Sequence, residues 1–238
     1  MNSGFLDRTT LGGARPYQLY VPRQYTPDRR WPVVLFLHGT GEGGEDGLLQ
    51  TEFQLGSAIR RHSALFECLA VFPQQSPSRY WRADDLSMAM DCLELTCNEY
   101  PVDPDRVTLC GVSSGAIGAW ALAARFPRRF SRLLIVSGLV GPTAFVPADG
   151  AVAPATERDP HLWLSTRLRS LPIWIHHGDA DPLYPVEDAR RTVGCLRDLQ
   201  SPVRYSELPG FGHNVWDTAF YSESVIRWLL GAPPTPKP

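Results

Sequence analysis

The chain has 238 residues, a length that fits one α/β domain spanning residues 1–238. Hydrophobic residues make up 43% of the sequence and charged residues 20%, which are the proportions of a soluble globular protein and exclude a disordered chain. The formal net charge of -2 provides no long-range field for polyanions, so we expect no nucleic-acid partner.

The hydropathy of the chain and its first residues bear on its location. Residues 1–10 lack the basic and then apolar regions of a secretory signal. No stretch approaches the roughly 18 apolar residues of a membrane-spanning helix. The 5 cysteines lack a C-x-x-C pair and histidines at ligand spacing. We therefore expect a cytoplasmic protein with no membrane insertion, no metal and no cofactor.

Short apolar segments alternate with longer amphipathic ones, which is typical of a mostly parallel sheet covered by helices. Residues 5–10 and 17–21 flank a Gly-Gly pair, so the sheet is expected to open with an antiparallel hairpin. The six parallel strands predicted after this hairpin span 31–38, 69–72, 107–110, 133–137, 173–177 and 203–208. Together they predict an eight-stranded α/β sheet with helices on both faces.

Helices are predicted between these strands from apolar residues at helical spacing. They span 84–99, 114–126, 186–199 and 220–230, and the last eight residues are expected to be a frayed tail. One segment, 139–170, departs from this rhythm because it is long and rich in Pro, Ala and Gly. Such loops are usually functional or mobile, so the segment is either a surface excursion or a small cap over the active site.

A G-x-S-x-G pattern follows the predicted strand 107–110 and precedes an Ala-rich helix. In that context the pattern predicts a nucleophile elbow centred on Ser113. Gly111 and Gly115 let the chain turn sharply from strand to helix, so that the Ser113 hydroxyl projects from the edge of the sheet. Ser114 lies outside the central position of the motif.

A serine hydroxyl is a weak nucleophile near neutral pH and needs a base that is oriented by an acid. His213 lies in a glycine-flanked loop after the last predicted strand, where the chain order Ser, acid, His places the base. The loop after strand 173–177 offers two carboxylates, Asp179 and Asp181. Pro182 favours an extended loop beyond Asp181, which gives that residue a modest preference on spacing alone.

Acyl transfer also needs donors directed at the oxyanion of the transition state. The backbone amide of Ser114, directly after the nucleophile, supplies one, and that of Thr40 in the glycine-rich loop after strand 31–38 supplies a second. His38 is expected to be structural. Four aromatic residues are candidates for the substrate pocket: Trp81, Tyr184, Phe211 and Trp216.

Four stretches of the chain resemble the α/β-hydrolases grouped as predicted peptidases and as feruloyl-esterase-like or phospholipase/carboxylesterase-like serine hydrolases. They are LHGTGEGGEDG, VDPDRVTLCGVSSGAIGAWALAARFPRRF, PIWIHHGDADPLYPVEDAR and ELPGFGHNVWDTAFYSESVIRWLL. The resemblance implies an α/β-hydrolase fold with Ser113, Asp181 and His213 as the catalytic triad, which favours Asp181 over Asp179. Where the family usually has Gly-Gly after the elbow serine, this chain has Gly115-Ala116.

A serine nucleophile indicates acyl transfer, and esters are easier to cleave than amides because an alkoxide leaves with less help. We therefore expect a carboxylesterase that acts on short-chain or aromatic acyl esters through an acyl-enzyme intermediate. Its partner would be a small-molecule ester. A peptidase or acyltransferase using the same triad is the alternative, and a binding module without activity is the third interpretation. The sequence does not indicate the oligomeric state.

Overall fold

Eight strands form one mixed sheet in the order β1-β2-β4-β3-β5-β6-β7-β8. β2 pairs antiparallel with β1 and β4, and the other neighbours are parallel, as the sequence predicts. The computed structural model describes residues 2–11, 15–78, 80–141 and 151–231. The strands are β1 (Gly4–Thr9), β2 (Pro16–Val21), β3 (Trp31–Leu37), β4 (Leu69–Pro73), β5 (Val102–Val112), β6 (Arg132–Val136), β7 (Ile173–Gly178) and β8 (Val203–Leu208).

Seven α-helices are found in the described part of the chain, three more than the sequence predicts. They are α1 (Gln54–Arg61), α2 (Ala83–Glu99), α3 (Ser114–Arg125), α4 (Pro160–Arg167), α5 (Val186–Asp198), α6 (Trp216–Phe220) and α7 (Glu223–Leu229). The predicted helix 220–230 is observed as α7, which begins at Glu223, and Tyr221 and Ser222 separate it from the short α6. The three helices absent from the prediction are α1, α4 and α6. None of the described helices has both the length and the apolar character needed to cross a membrane.

The apolar sequence of β3 explains why the sheet is covered on both faces. Successive side chains of a strand point to opposite faces. Val33 and Leu35 belong to the core shared with α2, α3, α4 and α5, whereas Val34 and Phe36 belong to the core shared with α1, α6 and α7. Burying each such side chain contributes about 1.5–3 kcal/mol. The sheet is thus a rigid support, and the loops at its edges are available for chemistry.

The described parts of the 139–170 segment are attached to α5. The Asp188 carboxylate accepts hydrogen bonds from the backbone amides of Val140 and Gly141, both at 2.8 Å. The ring of His161 on α4 lies 3.4 Å from the same carboxylate. Both sides of the excursion therefore contact one helix. Residues 142–150 lie outside the described residues, as do the predicted hairpin glycines 12–13 and residues 232–238 of the predicted tail.

Candidate active site

Three loops meet at the carboxyl edge of the parallel strands, where open α/β sheets carry their active sites. Ser113 follows β5, Asp181 follows β7 and His213 follows β8. His213 Nε2 lies 2.8 Å from Ser113 Oγ, and His213 Nδ1 lies 2.7 Å from Asp181 Oδ2. Three side chains that are separated along the sequence thus form one hydrogen-bonded chain.

Ser113 sits at a sharp turn with a backbone conformation that non-glycine residues rarely adopt, φ 54° and ψ -120°. Its amide donates a hydrogen bond to Val136 O at 3.0 Å, which ties the turn to β6. A Cβ on Gly111 would lie 2.2 Å from Gly115 O, and one on Gly115 would lie 2.1 Å from Leu37 O. The two glycines of the motif are therefore required by close approach between backbones.

The carboxylate of Asp181 is fixed by several donors. Oδ1 accepts the amides of Leu183 and Tyr184 at 2.8 and 3.0 Å, while Oδ2 faces His213 and lies 3.3 Å from His177 Nε2. Burial raises the pKa of Asp181, but the hydrogen bonds from the two histidines and the two amides outweigh burial and hold the pKa below the ordinary value of 3.8. Asp181 is therefore an anion near neutral pH.

The second loop carboxylate has a different partner. Asp179 Oδ1 accepts the amide of Gly210 at 2.7 Å, in the turn that follows β8. Asp179 is exposed and makes no hydrogen bond to His213 among the described contacts. It therefore connects the loops after β7 and β8, while Asp181 contacts the imidazole.

His213 is held in place by its backbone and by two aromatic rings. Its carbonyl accepts a hydrogen bond from Ser137 Oγ at 2.7 Å. The rings of Tyr184 and Trp216 stand edge-on to the imidazole, with centroids 5.0 and 5.9 Å away. Because Nδ1 faces a carboxylate, we assign its hydrogen to Nδ1, which leaves the Nε2 lone pair directed at Ser113. This is the arrangement of a general base.

A cavity of about 440 Å³ opens onto Ser113 and His213. Two of the four predicted pocket aromatics, Tyr184 and Trp216, line it. None of the described residues of the 139–170 segment does, so the predicted cap stays a prediction. The remaining lining residues are Gly39, Thr40, Gly41, Glu42, Gln54, Tyr80 and Leu183.

Trp81 and Phe211 are predicted to line the pocket, but neither does. Trp81 is buried in the core, where its ring packs against α3. Its indole Nε1 donates a hydrogen bond to His38 O at 3.0 Å. Phe211 is 43% exposed: its carbonyl accepts the Ala180 amide at 3.0 Å, and its side chain lies outside the cavity lining.

The two predicted oxyanion donors lie in different elements next to Ser113. Thr40 begins a short 3-10 turn after β3 and lines the cavity, whereas Ser114 is the first residue of α3 and is buried. His38 is structural as expected: its Nδ1 lies 2.7 Å from Gly39 O, and its Nε2 accepts the Gln75 amide at 3.1 Å. No group of three or more potential metal-binding side chains occurs within the described ranges.

One wall of the cavity is formed by residues that the sequence analysis does not predict to be there. It is formed by Glu42 and Gln54, which are nearly fully buried. Gln54 Nε2 donates to Glu42 Oε1 at 3.2 Å, and neither Glu42 Oε2 nor Gln54 Oε1 has a hydrogen-bond partner among the described residues. The only sequence signal is the Glu in the glycine-rich loop. Gln54 has a positive φ of 50°, a conformation that its sequence does not indicate.

Comparisons with known proteins place the chain in an esterase family. A family model described as "Putative esterase" matches residues 9–214. "Putative esterase NocK" of Nocardia uniformis subsp. tsuyamanensis is 28% identical over 184 residues, which cover 74% of this chain and 48% of NocK. The chain covers only 22% of a second curated relative. It therefore spans about half or less of the curated relatives that it matches.

Solved structures show the same fold. A thermostable esterase has a TM-score of 0.78 at 28% identity, with 95% of this chain and 62% of that chain covered. A ferulic acid esterase has a TM-score of 0.73 at 17% identity, with coverage of 97% and 99%. The second likeness is a likeness of fold alone, and it confirms the predicted α/β-hydrolase architecture.

Proposed function

The chain belongs to the esterase family and is a carboxylesterase-type hydrolase; from that premise we propose that it cleaves small-molecule esters through an acyl-enzyme. In this mechanism Ser113 is the nucleophile, His213 is the general base and Asp181 orients the base. The observation that carries the proposal is the continuous hydrogen-bonded chain from Ser113 Oγ through the imidazole to Asp181, with both links below 3 Å.

Acylation begins when Ser113 Oγ attacks the carbonyl carbon of the ester and its proton passes to His213 Nε2. The resulting imidazolium is stabilised by the Asp181 carboxylate, which remains ionised. Collapse of the tetrahedral intermediate breaks the bond to the alcohol oxygen, and His213 returns the proton to that leaving group. The products of this step are the free alcohol and an acyl group on Ser113.

Deacylation repeats the sequence with water as the nucleophile. His213 Nε2 accepts a proton from the water as its oxygen attacks the acyl carbon, and Ser113 then leaves with that proton restored. In both steps negative charge develops on the former carbonyl oxygen. We assign its stabilisation to the amides of Thr40 and Ser114, and one such donor is worth about 3 kcal/mol in a related reaction.

The size and lining of the cavity support short-chain or aromatic acyl groups. A volume of about 440 Å³ lies at the small end for ligand pockets. Tyr80, Tyr184 and Trp216 present aromatic surface beside the nucleophile. Burial, together with the neighbouring Tyr80 phenol, raises the pKa of Tyr184 to about 12, so its hydroxyl stays protonated and can donate to a substrate oxygen. Aromatic esters of the kind cleaved by ferulic acid esterases fit this surface.

A substrate panel tests the proposal. p-Nitrophenyl esters from acetyl to palmitoyl, methyl ferulate and aminoacyl p-nitroanilides should be compared by kcat/KM in the parent and in Ser113→Ala. We expect acetyl, butyryl and feruloyl esters to be the best substrates and Ser113→Ala to be inactive. Faster cleavage of the anilides than of matched esters would favour a peptidase. Transfer of the acyl group to an added alcohol in preference to water would favour an acyltransferase.

A further inference from the structure

His177 is a fully buried histidine that lies directly beside the acid of the proposed triad. It is the next-to-last residue of β7 and precedes the loop that carries Asp181. His176, its neighbour on the same strand, is also buried. Because successive strand side chains point to opposite faces, the two imidazoles occupy opposite sides of the sheet. They therefore form a natural pair for comparison.

A single nitrogen of His177 meets two acceptors. Nε2 lies 2.9 Å from the carbonyl oxygen of Tyr184 and 3.3 Å from Asp181 Oδ2. Since both of these atoms accept hydrogen bonds, we assign the hydrogen of the imidazole to Nε2. Nδ1 is buried and has no hydrogen-bond partner among the described residues, so a second hydrogen there would be left unsatisfied. The geometry therefore corresponds to a ring that donates from Nε2.

We propose that His177 is a positioning residue that fixes the orientation of the Asp181 carboxylate and of Tyr184 for catalysis. The proposal rests on the proposed function, because it assigns His177 an effect only through the triad. The oxygen it approaches, Asp181 Oδ2, is the same one that accepts the hydrogen of His213 Nδ1. His177 Nε2 donates to the Tyr184 carbonyl and lies 3.3 Å from Asp181 Oδ2, a contact that opposes rotation of the carboxylate away from the base.

The Tyr184 contact extends this effect to the other side of the base. The Tyr184 amide donates to Asp181 Oδ1, and its ring stands 5.0 Å from the ring of His213. When His177 holds the Tyr184 carbonyl, it closes the loop around the carboxylate and keeps the aromatic wall against the imidazole. A displacement of about 1 Å in such an assembly can cost about 100-fold in rate.

Two substitutions of nearly equal shape separate positioning from packing. His177→Gln places an amide N–H near the position of Nε2, whereas His177→Met fills a similar volume without a donor. With p-nitrophenyl butyrate at pH 8, we expect His177→Met to lower kcat about 100-fold with KM changed by less than about threefold. His177→Gln should recover at least about tenfold of that loss. If the Met variant does not fold, His177→Asn replaces it, because its shorter amide cannot reach Asp181.

His176 provides the matched control on the same strand. His176→Met removes an imidazole of similar burial that contacts Trp174 rather than the acid loop. It should retain kcat within about threefold. Equal kcat values for His177→Gln and His177→Met, or an equal loss in His176→Met, would overturn the positioning role.

Ser113→Ala, assayed beside these variants, keeps the two questions separate. Residual activity in Ser113→Ala at the parent level would refute the proposed function itself. An inactive Ser113→Ala together with indistinguishable Gln and Met variants would refute only the role of His177.

Discussion

Two carboxylates of similar burial differ in their hydrogen bonds: Glu42 lines the cavity, and Asp181 lies behind His213. Asp181 and Glu42 are 9% and 8% exposed. Asp181 has two amides on one oxygen and two imidazoles beside the other. Glu42 accepts one side-chain hydrogen bond, from Gln54, and its second oxygen has no hydrogen-bond partner among the described residues, with His38 Nδ1 3.7 Å away. The acid–base loops are thus internally satisfied, and the cavity wall is not.

This difference matches different roles, catalysis for Asp181 and substrate contact for the wall that contains Glu42. A catalytic carboxylate must be fixed before the substrate arrives, because reorganisation during the reaction raises the barrier. A wall that contacts substrate can carry polar groups that are only partly satisfied, at a cost in folding free energy. We therefore expect changes at the acid–base loops to affect turnover and changes at the wall to affect stability.

Replacing the nucleophile should give the largest effect. Ser113→Ala is expected to lower kcat by a factor on the order of 10⁶, as in a serine protease whose nucleophile is removed. The fold should be retained, because alanine leaves the backbone hydrogen bonds of the elbow in place. Steady-state kinetics with p-nitrophenyl acetate and a circular dichroism spectrum measure both. Ser114→Ala is the control and should remain active. If only Ser114→Ala lost activity, Ser114 and not Ser113 would be the nucleophile.

Asp181 and Asp179 test how far the acid–base side depends on one carboxylate. Asp181→Asn should lower kcat by about 10⁴, because the base loses the group that orients it. Asp179→Asn should lower kcat less than about tenfold, since Asp179 binds the Gly210 amide and not the imidazole. The ratio of the two kcat values is the measurement. A larger loss in Asp179→Asn would reverse the assignment of the acid.

The strand beneath the acid–base loops should make stability depend on pH. Burial lowers the pKa of His176 from 6.5 to about 4. The neutral His176 ring contributes to the free energy of unfolding fully above pH 6.5. As the pH falls from 6.5 towards 4, the unfolded chain binds a proton that the folded protein does not, and up to about 3 kcal/mol of stability is lost. Urea unfolding at pH 7.5 and pH 4.5 should show this loss in the parent and a smaller loss in His176→Met. An equal loss of stability in the parent and in His176→Met would show that other groups cause the destabilisation at low pH.

A substitution in the cavity wall should have the smallest effect of the four, and it should stabilise the protein. Glu42→Gln keeps the shape of the side chain but removes a buried carboxylate with only one hydrogen-bonded oxygen among the described residues. The free energy of unfolding should therefore rise by about 1 kcal/mol. Asp85→Asn is the control, because Asp85 is equally buried but bound by Arg15 and Ser76. Asp85→Asn should be destabilised by about 3 kcal/mol, because it leaves Arg15 without its buried partner. Thermal unfolding distinguishes the two, and destabilisation of both would remove the contrast.

The sequence predicts most of the sheet because its strands are marked by continuous apolar segments. The segment at 31–38 becomes β3, and each of the other predicted strands is observed within a few residues except β5, which begins at Val102 rather than 107. The elbow is recognisable because Gly111 and Gly115 are required by sterics at a fixed spacing from Ser113. These signals are local, so they can be read from the sequence alone.

The features that the sequence misses depend on tertiary contacts. Trp81 resembles a pocket aromatic until its indole is seen to bind His38 O in the core. Gln54 reaches the cavity through a positive φ that its side chain does not favour. The helices α1, α4 and α6 have 8, 8 and 5 residues, too few for a helical period to be recognised in a window of about 11–18 residues. His177 has no motif of its own, and its contact with Asp181 appears only when the loop folds back.

Mapping the residue that carries the acyl group tests the account most directly. The protein should be treated with a fluorophosphonate, digested and analysed by tandem mass spectrometry, with unlabelled and Ser113→Ala samples alongside. We predict a single adduct on Ser113, formed at a rate that falls strongly in Asp181→Asn and little in Asp179→Asn. An adduct on Ser114 or another residue, or labelling of Ser113→Ala at the parent rate, would contradict the assignment of the nucleophile.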